Sequence, residues 1–268
     1  MSRKRFGHIP DYPVSLDPAS GEFVQQHASS DWLFHDSAIV NATVASTVGD
    51  WDYSPLLDEV QDQLGGTCVG QALSSSTYLR AQCVGSPIRR PSATLIVAFA
   101  QLADNPRYPI DCDGCRATIA ISHMRDRGLV AKEVWPETAE NLVTVPPEDV
   151  FARAEGATVD AWYRVPSGSD VVDGLKQALA RMFLPVFAMS VDTKYENVGS
   201  QIYDGAGGQV LGNHAQCIVG YSSARNAFKI LNSWGTTFGD GGFAWIGENF
   251  MRASTFDRLV VQSTPKEV

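Results

Sequence analysis

Three stretches of this 268-residue chain carry residue types that can do thiol chemistry together. The first, Gln61-Asp62-Gln63-Leu64-Gly65-Gly66-Thr67-Cys68, is a glycine-rich turn that ends in a cysteine and leads into a helical run from about Val69 to Ala81. A cysteine at a helix N-terminus faces unsatisfied N–H groups and the positive end of the helix dipole, which favours thiolate over thiol. The second, Gly212-Asn213-His214-Ala215-Gln216-Cys217-Ile218-Val219-Gly220-Tyr221, sets one histidine just ahead of an apolar, strand-like run. The third opens with Asn232-Ser233-Trp234-Gly235 and continues into the glycine-rich loop before Phe243. Acyl transfer by a thiol needs a thiolate, a base that later acts as acid, a group that orients that base, and an oxyanion hole. Cys68, His214 and Asn232 have the right types for the first three parts.

Cys, His and Asn in this order resemble the papain-like cysteine peptidases. The cysteine turn is similar to that family's Gln-…-Gly-Ser-Cys element, and the second stretch to its Gly-His-Ala-(apolar)-Val-Gly-Tyr element. The third is similar to its Lys-Asn-Ser-Trp-Gly-…-Gly-Glu-Gly-Gly-Tyr element, and the resemblance covers about residues 51 to 262. It implies that Cys68 attacks a peptide carbonyl, that His214 pairs with it and protonates the leaving amine, and that Asn232 fixes the imidazole. It also puts Trp234 where an indole shields the Asn–His hydrogen bond. The oxyanion would rest on the Cys68 N–H and a glutamine amide. Here the chain departs from the pattern: the family's glutamine commonly lies six residues before the cysteine, which is Asp62, whereas Gln63 and Gln61 stand five and seven before it. Bacterial relatives often read Asp-Gln-Gly-x-x-Gly-Ser-Cys, so Asp62-Gln63 looks like that pair with one loop residue deleted. Gln63 is the expected donor and Gln61 the alternative.

The same resemblance sets Gly114 and Cys115 beside an extended peptide substrate bound by short backbone pairing. Ala215 and Trp234 join them as expected substrate-side residues, and the run Val186 to Val191 is a further candidate for side-chain preference. Phe6-Gly7-His8-Ile9-Pro10-Asp11 resembles the Gly-Trp-Ile-Pro-Asp start of bacterial members without a long propeptide. Residues 1–50 are expected as an extension wrapping the catalytic domain, a strap over the lobes rather than an autoinhibitory pro-segment. The implied activity is peptide hydrolysis through a thioester acyl-enzyme. The same triad can serve an acyl transferase or amidase, and the fold can also persist as a non-catalytic binding module.

Other residues have plainer readings. His8, His27 and His35 lie in the extension, and His123 falls within a helical run. Cys112-Asp113-Gly114-Cys115 is a CxxC, yet a zinc site needs four ligands and no second CxxC or histidine pair accompanies it. No metal or cofactor is expected. Cys83 and Cys217 read as buried structural thiols, and Asp240-Gly241-Gly242 as a tight turn rather than an ion loop.

Composition bounds the rest. A hydrophobic fraction of 44% and a charged fraction of 19% are those of an ordinary globular protein. The net charge of −9 disfavours a nucleic-acid partner, and the peptide or protein substrate is what the resemblance implies. The longest apolar run, Leu95 to Ala100, is too short to span a bilayer, and no apolar segment follows Met1-Ser2-Arg3-Lys4-Arg5. Five cysteines, with Gly65 where secreted relatives carry a disulfide partner, point to a reducing, cytoplasmic setting.

The elements that must hold these residues fall into two textures. Up to about residue 155 the pattern is helical: Val69 to Ala81, Ala93 to Asp104 with Ser92 as N-cap, Arg116 to Arg127 stopped by Gly128, and a short helix from Pro146-Pro147 to Ala154. From about residue 156 the pattern turns to strands. One helix runs from Ser169 or Asp170 to about Met182 and is ended by Pro185. Short β-branched and aromatic runs follow at Val186 to Val191, Gln216 to Tyr221, Ala227 to Leu231, Gly242 to Ile246 and Arg258 to Gln262. The expectation is an α+β, papain-like two-lobe fold: a helical N-terminal lobe, an antiparallel β-rich C-terminal lobe, and the active-site cleft between them.

Overall fold

A computed structural model of the chain describes residues 6–11, 14–16, 23–25, 49–86, 88–104, 110, 113–154, 159–165, 167–168, 170–205 and 207–263. Most of the expected extension, and Cys112 of the CxxC, lie outside these residues. The fold is α+β. Its sheet has eight strands among the described residues, ordered Ala161–Arg164, Thr255–Gln262, Val186–Asp192, Val210–Ser222, Ala227–Leu231, Phe243–Gly247 and Ile202–Tyr203, with Trp51–Asp52 added against Val210–Ser222. All pairings are antiparallel except the last in that order, Phe243–Gly247 with Ile202–Tyr203.

Val210–Ser222 is the organising strand. Its first half pairs with Val186–Asp192, setting Met189 opposite His214 and Ala188 opposite Ala215. Its second half crosses to Ala227–Leu231, where Cys217 faces Leu231 and Tyr221 faces Phe228. The strand is longer than its apolar run suggests, so His214 sits within it rather than ahead of it. Cross-strand pairing of the polar residues Ser190 and Asn213, whose side chains hydrogen-bond at 2.9 Å, carries the ladder past the apolar segment.

The helix Cys68–Cys83 crosses this sheet and starts one residue earlier than expected, with the cysteine as its first residue. It is buried on nearly every face, which is the pattern of a helix clasped on all sides rather than lying on a surface. Cys68, Val69 and Leu73 pack with Ile96, Val97, Ile121 and Met124 of the helices Ala93–Asp104 and Ala117–Asp126. Leu79, two turns on, belongs instead to the sheet-side core with Phe187, Ile218 and Phe228. Two buried hydroxyls on this helix donate to carbonyls outside it, Ser74 to that of Pro91 and Ser76 to that of Leu184, both at 2.6 Å. Ser92 caps Ala93–Asp104 as its type dictates: its hydroxyl accepts from the Leu95 amide at 3.1 Å. Sequence texture missed the strand Ala161–Arg164 and the helix Glu248–Ser254, both too short to show a period.

Candidate active site

Cys68 begins its helix directly beneath the strand that carries His214. The backbone amides of Ala215, Gly7, Val69 and Cys68 itself face its sulfur and favour the thiolate. Burial outweighs them: Cys68 is fully enclosed, and its thiol is pushed up rather than down. In this enclosed arrangement desolvation works against the favourable backbone amides around the sulfur.

His214 is fully buried, and its Nε2 lies 2.8 Å from Asn232 Oδ1. Asn232 Oδ1 also accepts from the Ser233 amide at 2.7 Å, which identifies it as the oxygen. Nε2 of a neutral His214 must then carry the proton, leaving Nδ1 as its basic nitrogen. The Trp234 indole stacks on the imidazole with ring centroids 4.4 Å apart and planes 25° from parallel, and it is almost wholly buried.

The turn that precedes Cys68 is tied to the Asn232 loop by backbone. Gln63 N–H donates to the Ser233 carbonyl at 2.8 Å, Gly235 N–H donates to the Gln61 carbonyl at 2.9 Å, and Asp62 bridges Trp234 between them. The Gln63 side chain turns inward from this pairing and is buried. Its Oε1 accepts from the Ser233 hydroxyl at 2.6 Å and its Nε2 donates to the Gly65 carbonyl at 2.8 Å. Of the two glutamines weighed from sequence, Gln63 is the buried one whose amide lies within the Cys68 turn, while Gln61 is half-buried and contributes its carbonyl to the pairing.

Gly114 and Cys115 form the opposite wall, and a segment of the chain itself is paired to them. His8–Ile9 runs parallel to Cys115–Arg116, and the Cys115 amide donates to the Gly7 carbonyl at 2.9 Å. The approach is so close that a Cβ on Gly7 would lie 2.0 Å from the Gly66 carbonyl oxygen, and one on Gly114 would lie 1.7 Å from the Gly7 oxygen. Only glycine fits at either position. Gly7 thus threads between the cysteine turn and the Gly114 wall. Phe6, next to it, sets its ring edge-on to His214 and Trp234 at 6.2 and 5.8 Å.

Beyond Gly7 the segment is fastened by buried charge. His8 Nε2 lies 3.0 Å from Asp257 Oδ2, and Arg164 spans Asp257 Oδ1 at 3.0 Å and Asp11 Oδ2 at 3.1 Å. Asp11 Oδ1 accepts from the Thr118 amide and hydroxyl at 3.2 and 2.7 Å, and the Asp11 amide donates to Asp257 Oδ2 at 3.0 Å. Burial, then the Asp257 charge, raises the Asp11 carboxyl to about 6, against the pull of Arg164, Thr118 and His8. Burial also opposes the Asp257 charge, but His8, the Asp11 amide and Arg164 hold its carboxyl well below the usual range. Asp257 sits at φ 45° in a bulge of its strand, which aims its carboxylate at this cluster.

Phe6, His8, Asp11, Arg164 and Asp257 were not singled out as site residues from sequence. Only the Phe6–Asp11 stretch carried a signal, its likeness to the start of bacterial relatives. Ala215 is buried beside Cys68 and Cys115 in one apolar cluster. Among the described residues no group of three His, Cys, Asp or Glu is placed to hold a metal, and no helix is long and apolar enough to cross a membrane.

Comparison with known proteins bears on the family and the fold. The family model described as papain family cysteine protease matches residues 69–262, well over half of the chain. Chymopapain of Carica papaya is 24% identical over 196 residues, covering 72% of this chain and 53% of that protein. A cathepsin L-like proteinase of Fasciola hepatica is 28% identical over 206 residues, covering 75% of this chain and 60% of that protein. In both, the match spans less than two thirds of the relative's own length. Among solved structures, xylellain, a cysteine protease from Xylella fastidiosa, superposes with a TM-score of 0.77 at 20% identity, covering 98% of this chain and 99% of that one. At that identity the likeness speaks for the fold.

Proposed function

The chain belongs to the papain family of cysteine proteases, and we propose that it hydrolyses peptide bonds through Cys68, His214 and Asn232, held latent by its own residues 6–11. The observation that carries this reading is the His214 Nε2···Asn232 Oδ1 contact of 2.8 Å under the Trp234 indole, on a strand whose next amide, Ala215, faces the Cys68 sulfur.

In the reaction, His214 Nδ1 takes the proton of the Cys68 thiol, and the thiolate attacks the substrate carbonyl carbon. The oxyanion that forms is held by the Cys68 amide and the Gln63 side-chain amide. As the C–N bond breaks, the His214 imidazolium gives its proton to the leaving amine and a thioester remains. Water, deprotonated by His214, attacks the thioester, and the Cys68 sulfur leaves as thiolate with release of the acid. Asn232 holds the ring in the tautomer this cycle needs, without adding a charge that would compete for the imidazolium. Gly114 and Cys115 offer backbone to an extended substrate, the role that Gly7 occupies in the latent chain. A cytoplasmic location belongs to the same reading and rests on the sequence, with its five cysteines and Gly65 where secreted relatives carry a disulfide partner.

The test is covalent labelling with an epoxysuccinyl thiol-protease inhibitor at neutral pH, read by intact and peptide mass spectrometry. Full-length Gly7→Ala is compared with wild type, and with Gly7→Ala chains that also carry Cys68→Ala or His214→Ala. Single-site labelling at Cys68 in Gly7→Ala, lost with Cys68→Ala and strongly slowed with His214→Ala, together with peptide hydrolysis, supports the reading. A folded Gly7→Ala chain that neither labels nor hydrolyses peptide refutes it and favours a non-catalytic module. Transfer of the acyl group to added amines in preference to water would instead make the chain an acyl transferase.

A further inference from the structure

Glu137 lies outside every motif above, yet its carboxylate meets the cysteine turn at three points. Oε1 accepts from the Leu64 amide at 2.8 Å and from the Thr67 hydroxyl at 2.6 Å, and Oε2 accepts from the Gln71 side-chain amide at 2.5 Å. Leu64 directly follows Gln63, and Thr67 directly precedes Cys68. The carboxylate therefore brackets the turn next to both groups assigned to the oxyanion. Between the brackets stand only Gly65 and Gly66, the residues least able to hold a backbone by themselves.

The base on which Glu137 stands is rigid. The preceding Trp135 carbonyl accepts from the Ser92 hydroxyl at 2.5 Å, at the very start of the helix Ala93–Asp104. Pro136 restricts the backbone between them, and its carbonyl accepts from the Asn141 side chain at 2.9 Å. Thr67 and Gln71 are themselves buried, so the carboxylate is desolvated against its partners. Burial raises the Glu137 carboxyl while the Thr67, Leu64 and Gln71 hydrogen bonds oppose that rise.

We propose that Glu137 is a positioning residue for catalysis: it clamps the Leu64–Thr67 turn so that the Gln63 amide and the Cys68 amide stay aimed at one point, the developing oxyanion. This rests on the peptidase reading above. The clamp acts on the transition state of acylation rather than on thiolate formation, because the donors it aligns are needed only once the carbonyl oxygen gains charge.

That distinction sets the test. Full-length Gly7→Ala chains with Glu137, Glu137→Gln and Glu137→Ala are compared in two assays. One is hydrolysis of a fluorogenic dipeptide amide, and the other is alkylation of Cys68 by iodoacetamide, which consumes thiolate but uses no oxyanion hole. Glu137→Gln keeps an acceptor for Leu64 and Thr67 and can donate to a turned Gln71 amide, so it loses mainly the charge and kcat should fall about three- to fivefold, whereas Glu137→Ala leaves the Leu64 amide and the Thr67 hydroxyl without their acceptor and should fall further, by about 10- to 10²-fold. KM and the alkylation rate should stay within about twofold of the parent. Unchanged hydrolysis in both variants overturns the proposal. So does a parallel fall of alkylation and hydrolysis, which would make Glu137 a support of the fold or of the thiolate. If the folded Gly7→Ala parent neither alkylates nor hydrolyses, the peptidase reading fails first and takes this one with it.

Discussion

The Cys115 amide donates to the Gly7 carbonyl at 2.9 Å, so the wall expected to hold a substrate backbone is paired to the chain's own N-terminal segment. The fit tolerates no side chain at Gly7, since a Cβ there meets the Gly66 carbonyl at 2.0 Å. Gly7→Ala should therefore expel the segment and raise the rate of Cys68 labelling by roughly one to two orders of magnitude, as the open population grows. Equal labelling of the two full-length chains would mean that residues 6–11 do not govern access.

Gln63 and Gln61 are separable by rate. In the Gly7→Ala chain, Gln63→Ala should cost about 10²–10³ in kcat, the usual effect of removing one oxyanion donor. Gln61→Ala should cost only a few-fold, because Gln61 serves the site through its backbone carbonyl. Steady-state peptide hydrolysis decides it, and the reverse order of effects would reassign the donor.

Asn232→Ala removes the acceptor that fixes the His214 tautomer. Positioned proton transfer is worth roughly 10²–10⁴, and a ring free to turn should forfeit about 10² of that in kcat. The pH–rate profile should shift with it, whereas a variant that merely loosened the fold would keep the profile and lose active protein.

The charge cluster makes latency pH-dependent, with a definite sign. The Asp11 carboxyl is raised from 3.8 to about 6 when the segment is docked, so between those values the docked state keeps a proton that the released state gives up. Docking therefore gains strength as pH falls from above 6 toward 4, by up to about 3 kcal/mol, and loses it as pH rises. Asp257, shifted the other way, weakens docking only below the ordinary carboxylate range. The ratio of Cys68 labelling in wild type to that in Asp11→Asn cancels the intrinsic thiol titration. It should exceed one at pH 8, still exceed one at pH 5, and approach one only at about pH 4 and below. A ratio that rises on acidification would contradict the assignment.

Much of the fold was legible because its signals are local. Ser92 before an apolar run reads as a cap, and Ala93–Asp104 begins where that cap requires. Ala227–Leu231 is bounded by turn residues and has the expected limits. The strand through His214 was under-read because its first half is polar and glycine-bearing, and it owes its extension to pairing with Val186–Asp192, not to its own composition.

The sequence by itself determined which residues could do the chemistry. A cysteine after a glycine turn, a histidine before an apolar run and an Asn-Ser-Trp-Gly turn are each readable within a dozen residues, because helix starts, strands and turns obey local rules. Tertiary structure decided what state those residues are in. The segment beside Cys68 comes from 61 positions upstream, the carboxylate on its turn from Glu137, and the anchor of Asp11 from Asp257, 246 residues away. Such contacts leave no period in the chain: they exist only where folding has excluded water, and it is that exclusion which raises the Cys68 thiol against its helix dipole.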